Sequence, residues 1–195
     1  MNYFRRKRFA QFIEYLNADE NSTIIDFGGL PYDWVDVGFK GKVLCVSLSN
    51  IREGKWGTGN IQYRKMNLLD NNFQDKEFDI CYSNSLLEHV GKKNQKDIAN
   101  EIIRVSKKFW VQIPYRYFLL EPHYRFPFFH AFPQTVKHFI AKNWTPLFMK
   151  ENYYLNEVDS IYLPTYSEYK TLFDEGEIIK EKFLGLTKSL IAIQR

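Results

Sequence analysis

The chain has 195 residues, of which 45% are apolar and 26% charged. This length and balance predict one globular domain with a buried core, and they exclude an intrinsically disordered chain. The formal net charge of +4 is small. Much of it comes from a basic run, Arg5 to Arg8, which is typical of a solvated helix face, although such a cluster can also contact phosphates. Without a second basic stripe, we expect no nucleic-acid partner.

The sequence also carries information about compartment. No stretch approaches the roughly 20 consecutive apolar residues of a transmembrane helix, so we expect no membrane span. The basic N-terminus lacks the apolar run and cleavage site of a signal peptide. Cys45 and Cys81 both lie in apolar runs that we interpret as strands. Two separate buried thiols favour a reducing compartment, so we expect a cytoplasmic protein.

The first half of the chain begins with an amphipathic helix, indicated by apolar residues at helical spacing between Phe9 and Leu16. Three short apolar runs bounded by turn residues then predict strands, at residues 23–27, 42–46 and 61–66. A short helical or irregular piece separates the first two runs. A polar, glycine-containing stretch precedes the third run, and we interpret this stretch as a connection.

The second half continues the alternation. Apolar runs at residues 78–83 and 109–113 predict two more strands, and Ile98, Ile102 and Val105 predict a helix between them. Residues 178–183 and 189–193 flank a glycine and predict a closing antiparallel pair. Strands that alternate with helices imply parallel pairing, so we expect a doubly wound α/β fold with a Rossmann-like, mostly parallel sheet.

Residues 114–165 break this rhythm. The stretch from Pro114 to Pro164 holds six of the seven prolines and is crowded with aromatic side chains and histidines. One helix is expected inside it, starting at Pro133. Long irregular segments in compact domains are usually functional or disordered, and the aromatic content argues against disorder. We therefore interpret residues 114–165 as a cap insertion after strand five, within a single domain of residues 1–195.

In an open parallel sheet, ligands bind beyond the carboxyl ends of the strands. The first strand ends in Asp26, followed by the glycine pair Gly28 and Gly29, which let a backbone approach a ligand closely. Taken alone, this pair is equally typical of a generic tight turn. The second, third and fourth strands end in polar stretches that begin at Ser47, Asn67 and Ser83.

The combination of segments is more specific. Residues 67–73, 77–80 and 83–90 resemble the middle of small-molecule class I methyltransferases, in which an acidic residue and "LPF" precede "FD-V" and a "LEH" helix start. Residues 113–117 and 121–128 resemble a "PNRW…EPHYRLPF" signature found in a subset of the type 11 methyltransferases. This resemblance implies a seven-stranded sheet whose last strand is antiparallel, with S-adenosylmethionine bound across its first three strands.

The resemblance also implies a set of cofactor-binding positions. They are Asp26, Gly28, Gly29, Trp34, Ser47, Leu48, Asn67, Leu68, Ser83 and Asn84. Trp34 belongs to it through a Gly-Gly-x-Pro-x-x-Trp variant of the usual glycine motif. The sequence departs from the family at two positions. Ser47 replaces the acidic residue that binds both ribose hydroxyls, and Asn67 replaces the acidic residue that contacts the adenine amino group. Losing two such charged hydrogen bonds would weaken cofactor binding by roughly tenfold to several hundredfold.

The candidates for catalysis lie in the insertion. His123 beside Glu121 suits a general base oriented by a carboxylate, but Glu121 can equally pair with Arg125 to fix the loop. Tyr115, Arg116, Tyr124 and His130 are candidate acceptor-binding residues, with Arg116 suited to an anionic group; the tyrosines are also compatible with simple packing of a lid. His89, after strand four, is a further candidate for chemistry, but it is more typical of a residue that caps or packs the start of a helix. No metal-ligand spacing is found.

These observations favour a methyltransferase that acts on a small or medium-sized acceptor by O- or N-methyl transfer. Ser47 and the thin glycine motif favour an alternative, a related domain without catalysis that binds a ligand or serves as a scaffold. A nicotinamide-dependent oxidoreductase is a weaker alternative, because it would need fuller G-x-G-x-x-G spacing and an acid after the second strand. The sequence does not indicate the oligomeric state.

Overall fold

The computed structural model describes residues 3–118, 132–143 and 161–195. The first part contains α1 (Tyr3–Leu16), β1 (Thr23–Phe27), α2 (Pro31–Val37), β2 (Lys42–Ser47), β3 (Gly54–Trp56), β4 (Ile61–Lys65), β5 (Phe78–Asn84), a 3-10 turn (Leu87–His89), α3 (Gln95–Val105) and β6 (Ser106–Pro114). The other parts contain α4 (Gln134–Asn143), α5 (Tyr166–Leu172), β7 (Glu177–Phe183) and β8 (Leu186–Gln194).

The eight strands form one sheet in the order β3-β4-β2-β1-β5-β6-β8-β7. The five central strands from β4 to β6 run parallel, and β8 runs antiparallel to both β6 and β7. This confirms the predicted α/β class, the parallel centre and the antiparallel last strand. Since β1 lies between β2 and β5, the chain reverses its direction of progress across the sheet beside β1, which is where such sheets bind ligands.

The predicted strand count of seven needs a correction. The stretch interpreted as a polar connection contains β3, which pairs antiparallel with β4. Gly57 and Gly59 adopt positive φ angles of 58° and 90° in the turn between the two strands. Such a short, polar edge strand has no apolar alternation, and for that reason the sequence pattern did not reveal it.

Helices cover both faces of the sheet. On one face, Phe12 and Leu16 of α1 and Trp34 of α2 pack on the inward residues of the strands. On the other face, Ile98 and Ile102 of α3 pack with Tyr169 of α5. These two cores fix the sheet from both sides, as a mostly parallel sheet requires. Residues 66–77, all of them described, connect β4 to β5 without a helix.

Local signals determine where the shorter helices begin and end. Pro31 occupies the first turn of α2, and Gly38 ends it in a left-handed conformation with a φ angle of 65°. Thr165 and Glu168 form a reciprocal capping box at the start of α5. Both cysteines are buried and free, as the sequence predicts. Within the described parts of the chain, no helix has the length and apolar character to cross a membrane.

Candidate ligand-binding cleft

Two adjoining cavities lie at the carboxyl ends of β1, β2, β4 and β5. Their volumes are about 590 and 260 Å³, and Gly28, Ser85 and His89 line both of them. Together they have the size of a site for a small molecule or a cofactor. A larger cavity of about 780 Å³, lined by Lys42 and Thr23, lies at the opposite end of the strands. The carboxyl-end cleft is the candidate site, because ligands of doubly wound sheets bind there.

The floor of the smaller cavity is the carboxylate of Asp26, the fourth residue of β1. Asp26 is only 3% exposed. Its Oδ2 accepts a hydrogen bond of 2.6 Å from the indole Nε1 of Trp34, whereas Oδ1 has no hydrogen-bond partner among the described residues. Burial raises the pKa of Asp26 to about 7, against the lowering effect of the Trp34 bond. A buried carboxylate with one open oxygen is suited to a cationic ligand group.

The two glycines after β1 keep the backbone close to this carboxylate. Gly28 has a φ angle of 80°, and a Cβ there would lie 2.9 Å from the side chain of Leu86. A Cβ at Gly29 would overlap the carboxylate of Asp26. Only glycine therefore fits at both positions, and the turn presents its backbone to the cavity.

Charged side chains surround the same cavity. Arg5 of α1 and Asp33 of α2 both line it, and they form an ion pair of 2.8 Å.

Asn84, at the end of β5, also lines the smaller cavity, and its Oδ1 accepts a hydrogen bond of 2.8 Å from Nη1 of Arg8. Arg8 is 7% exposed and lies 3.6 Å from the buried carboxylate of Glu181. The interpretation of the basic run as a solvated face is therefore wrong for Arg8.

The larger cavity combines apolar and amide groups. Leu48, which is 69% exposed, lines it together with Asn67 and Leu68. The Asn67 Oδ1 accepts from the backbone N–H of Leu69 at 3.2 Å. Apolar side chains next to an amide form a surface suited to an aromatic base.

Ser47 lines the larger cavity, but its hydroxyl belongs to a closed network. The Ser49 N–H donates to Ser47 Oγ at 3.2 Å, and Tyr63 OH donates to the Ser49 carbonyl at 2.6 Å. Ser47 Oγ and Tyr63 OH are 3.0 Å apart, so the serine hydroxyl donates to the tyrosine. This cycle fixes the turn after β2 and holds the serine hydroxyl within the protein.

Ser83 stands apart from the other predicted cofactor-binding residues. It is buried, its Oγ donates to the carbonyl of Phe27 at 3.0 Å, and it lines neither cavity. The cleft brings the remaining nine together: Asp26, Gly28, Gly29, Trp34, Ser47, Leu48, Asn67, Leu68 and Asn84. The sequence did not place Arg5 there, since its position belongs to no cofactor motif. His89, a sequence candidate for chemistry, lines both cavities.

The predicted acceptor-binding residues divide in two. Tyr115 and Arg116 follow β6, and Nη1 of Arg116 donates to the Leu163 carbonyl at 3.3 Å. The Tyr115 ring contacts that of Tyr117, with centroids 5.7 Å apart. Arg116 thus links the beginning of the insertion to its end. The other two, Tyr124 and His130, lie outside the described residues, as do the predicted catalytic residues Glu121 and His123.

Part of the chain is similar to a known protein family. A family model described as "Methyltransferase domain" matches residues 36–108, from the end of α2 into the first residues of β6. The match covers 73 of the 195 residues, so it shows that this part of the chain is similar to a methyltransferase domain. The match includes β2, β4 and β5, whose carboxyl ends form the larger cavity. A search of curated proteins finds no match.

Solved structures share the fold at low sequence identity. Phosphoethanolamine N-methyltransferase 2 from Haemonchus contortus, in complex with phosphomonomethylethanolamine and S-adenosylhomocysteine, is 12% identical with a TM-score of 0.58. The alignment covers 90% of this chain and 39% of that protein, so this chain spans about two fifths of its length. A Burkholderia thailandensis 1,6-didemethyltoxoflavin-N1-methyltransferase, with bound 1,6-didemethyltoxoflavin and S-adenosylhomocysteine, is 12% identical with a TM-score of 0.61, covering 97% and 76%.

A third structure carries a different name. A Rhodobacter sphaeroides protein, provisionally named as a Zn-dependent alcohol dehydrogenase, is 9% identical with a TM-score of 0.64, covering 96% of this chain and 88% of that one. At this identity the likeness concerns the fold alone.

Among the described residues, no group of three or more His, Cys, Asp and Glu side chains is placed to hold a metal ion.

Proposed function

We propose that this chain is an S-adenosylmethionine-dependent methyltransferase that transfers a methyl group to an oxygen or nitrogen of a small or medium-sized acceptor. The observation that carries the proposal is the cleft at the carboxyl ends of β1, β2 and β4, with its open carboxylate oxygen on Asp26. The matching methyltransferase model and the bound S-adenosylhomocysteine of the fold relatives support the same function.

The residues present fit this cofactor at both of its ends. The amino-acid end is a zwitterion, and Asp26, whose Oδ1 has no hydrogen-bond partner among the described residues, lines the smaller cavity and suits an ammonium group. The larger cavity offers Leu48 and Leu68 to the faces of an adenine and the Asn67 amide to its edge. No carboxylate follows β2, so the ribose hydroxyls would meet neutral groups, and we expect moderate affinity.

When bound, the cofactor supplies an activated methyl group on a sulfonium. The chain must then align an acceptor atom with that methyl and exclude competing water. We assign this task to residues 114–165 as a substrate cap, whose ends Arg116 joins through the Leu163 carbonyl. Tyr115, Arg116, Tyr124 and His130 are proposed to bind the acceptor, and His123, oriented by Glu121, to accept its proton.

Calorimetric titration with S-adenosylmethionine and S-adenosylhomocysteine tests the proposed function. We expect saturable binding of both ligands with dissociation constants in the micromolar range, as two neutral replacements of charged contacts imply. Titration at millimolar ligand with no detectable heat or thermal stabilisation would overturn the proposal.

Replacing His123 with Ala tests the proposed base. We expect turnover to fall by about 100-fold or more, because general base catalysis contributes roughly that much, while cofactor affinity stays unchanged. The measurement is a single-turnover rate on an acceptor found by screening, paired with a calorimetric titration. His138 of α4 provides the matched control, because it belongs to a different part of the insertion and His138→Ala should leave the rate unchanged. Full activity of the His123 variant would reject the base role.

A domain without catalysis is the second candidate, and the Ser47 network is the observation that favours it. A serine hydroxyl that is hydrogen-bonded within the protein cannot bind two ribose hydroxyls as a carboxylate does. Such a domain would bind S-adenosylhomocysteine weakly and would transfer no methyl group from labelled S-adenosylmethionine to any acceptor. The partners proposed for the chain are small molecules, and the proposed compartment is the cytoplasm.

A further inference from the structure

The N-terminal helix contributes a guanidinium to the cleft. Arg5 lies on α1, before β1 and outside residues 36–108, which the methyltransferase model matches. Its side chain lines the 260 Å³ cavity beside Gly28 and Gly29. An arginine at this place brings a permanent positive charge to the glycine turn, and this charge attracts an anion.

Asp33 orients this guanidinium. The Arg5 Nη1 lies 2.8 Å from Oδ2 of Asp33, which lines the same cavity from the first turn of α2. A guanidinium has five N–H donors in a fixed fork, so a bond to one carboxylate is compatible with a second, bidentate one. The pair therefore holds the Arg5 guanidinium against the cavity.

The charges of the cavity form a complementary set. The Oδ1 of Asp26 has no hydrogen-bond partner among the described residues and is negative when the group is ionised, and Arg5 is positive. A ligand group with one ammonium and one carboxylate, as at the α-carbon of an amino acid, matches this arrangement. The Asp26 carboxylate would meet the ammonium, and Arg5 the carboxylate.

We propose that Arg5, positioned by Asp33, binds the α-carboxylate of the methionine portion of the cofactor. This inference rests on the proposed function. It makes α1 a part of the cofactor site rather than a packing element alone.

The chain offers a matched control one residue further on. Arg6 pairs with Asp36 of α2 at 3.1 Å, so it makes the same kind of contact between the same two helices. Arg6 lines neither cavity of the cleft. Loss of the Arg6 pair should therefore perturb the α1–α2 contact in the same way as loss of the Arg5 pair, without removing a ligand contact.

The experiment compares two ligands that differ only at the amino-acid end. S-adenosylhomocysteine carries the α-carboxylate, and 5′-methylthioadenosine lacks the whole amino-acid group. Both are titrated calorimetrically into the full chain, its Arg5→Gln variant and its Arg6→Gln variant, and melting temperatures are recorded without ligand.

We expect Arg5→Gln to weaken the binding of S-adenosylhomocysteine by about 10- to 100-fold, which is the cost of losing a charged hydrogen bond. The affinity for 5′-methylthioadenosine should stay unchanged. Arg6→Gln should leave both affinities unchanged, and Arg5→Lys should restore part of the loss. Equal binding of S-adenosylhomocysteine by the Arg5→Gln variant and the parent would overturn the inference alone. Equal losses for both ligands would also overturn it, because they indicate a structural effect. A parent chain that binds neither ligand would overturn the proposed function and this inference with it.

Discussion

Replacing Asp26 with Asn is expected to stabilise the protein without ligand and to weaken cofactor binding. At pH 8 the free energy of unfolding should rise by about 2–4 kcal/mol, because the variant no longer buries an ionised carboxylate. Asn is nearly isosteric, and its amide oxygen still accepts the hydrogen bond from Trp34. The measurement is urea unfolding of both proteins between pH 4 and pH 8.

The sign follows from the raised pKa of Asp26. In the unfolded chain its pKa returns to about 3.8, whereas in the folded protein it is about 7. Between these values the folded state holds a proton that the unfolded state has lost, so the contribution of Asp26 to stability falls as pH rises from about 4 to 7. The gain from Asn should therefore be below about 1 kcal/mol at pH 4 and should reach its plateau above pH 7.

Asp79 provides a control of opposite sign. Hydrogen bonds from Lys107 and Thr23 lower its pKa to about 2, so its ionised form stabilises the fold. Asp79→Asn should destabilise the protein at pH 8, and the loss should shrink as pH falls toward 2. A stability difference between the parent and Asp26→Asn that is independent of pH would contradict the raised pKa of the buried Asp26 carboxylate.

The same variant has a predicted effect on ligands. S-adenosylhomocysteine should bind the Asp26→Asn variant about 10-fold or more weakly, because its ammonium loses a charged partner, while 5′-methylthioadenosine should be unaffected. For the parent, the affinity for S-adenosylhomocysteine should fall as pH drops below 7, since binding must then release the proton from Asp26. Arg5, Asp33 and His89 face the same cavity, and the one carboxylate among these three, that of Asp33, is paired with Arg5.

The sequence predicted those features that depend on neighbours in the chain. Alternating apolar runs predicted the parallel sheet and its antiparallel last strand. Asp26 with the two glycines predicted where the cleft opens, because the end of β1 is determined by local residues. The proline signal at the start of α4 is equally local, since Pro133 directly precedes the helix.

The features that the sequence did not reveal depend on contacts between distant residues. Ser47 is an ordinary serine in the sequence, and only its pairing with Tyr63 across the β2–β4 ladder shows that its hydroxyl is engaged. Arg8 belongs to a basic run that reads as solvated, yet it reaches Asn84 and Glu181 on the far strands. Arg5 enters the cleft only because α1 packs against α2. Nothing in the local pattern carries this information.

Gly29→Ala is expected to remove cofactor binding and to destabilise the fold by about 1–3 kcal/mol. The added methyl group would occupy the space of the Asp26 carboxylate, which cannot retreat because it is buried and held by Trp34. The displaced carboxylate or the displaced turn then closes the cavity that accepts the amino-acid end of the cofactor. Urea unfolding and titration with S-adenosylhomocysteine measure the two effects.

Two further variants separate this overlap from a general cost of replacing glycine. Gly38→Ala lies at the end of α2 in a left-handed conformation with no atom within 4 Å of an added Cβ, so it should cost about 1–2 kcal/mol of backbone strain and leave ligand affinity intact. Asp26→Ala combined with Gly29→Ala should recover stability relative to Gly29→Ala alone, because the smaller side chain vacates the space. Strictly additive effects of the two substitutions would contradict the direct contact, since residues that share one space must couple.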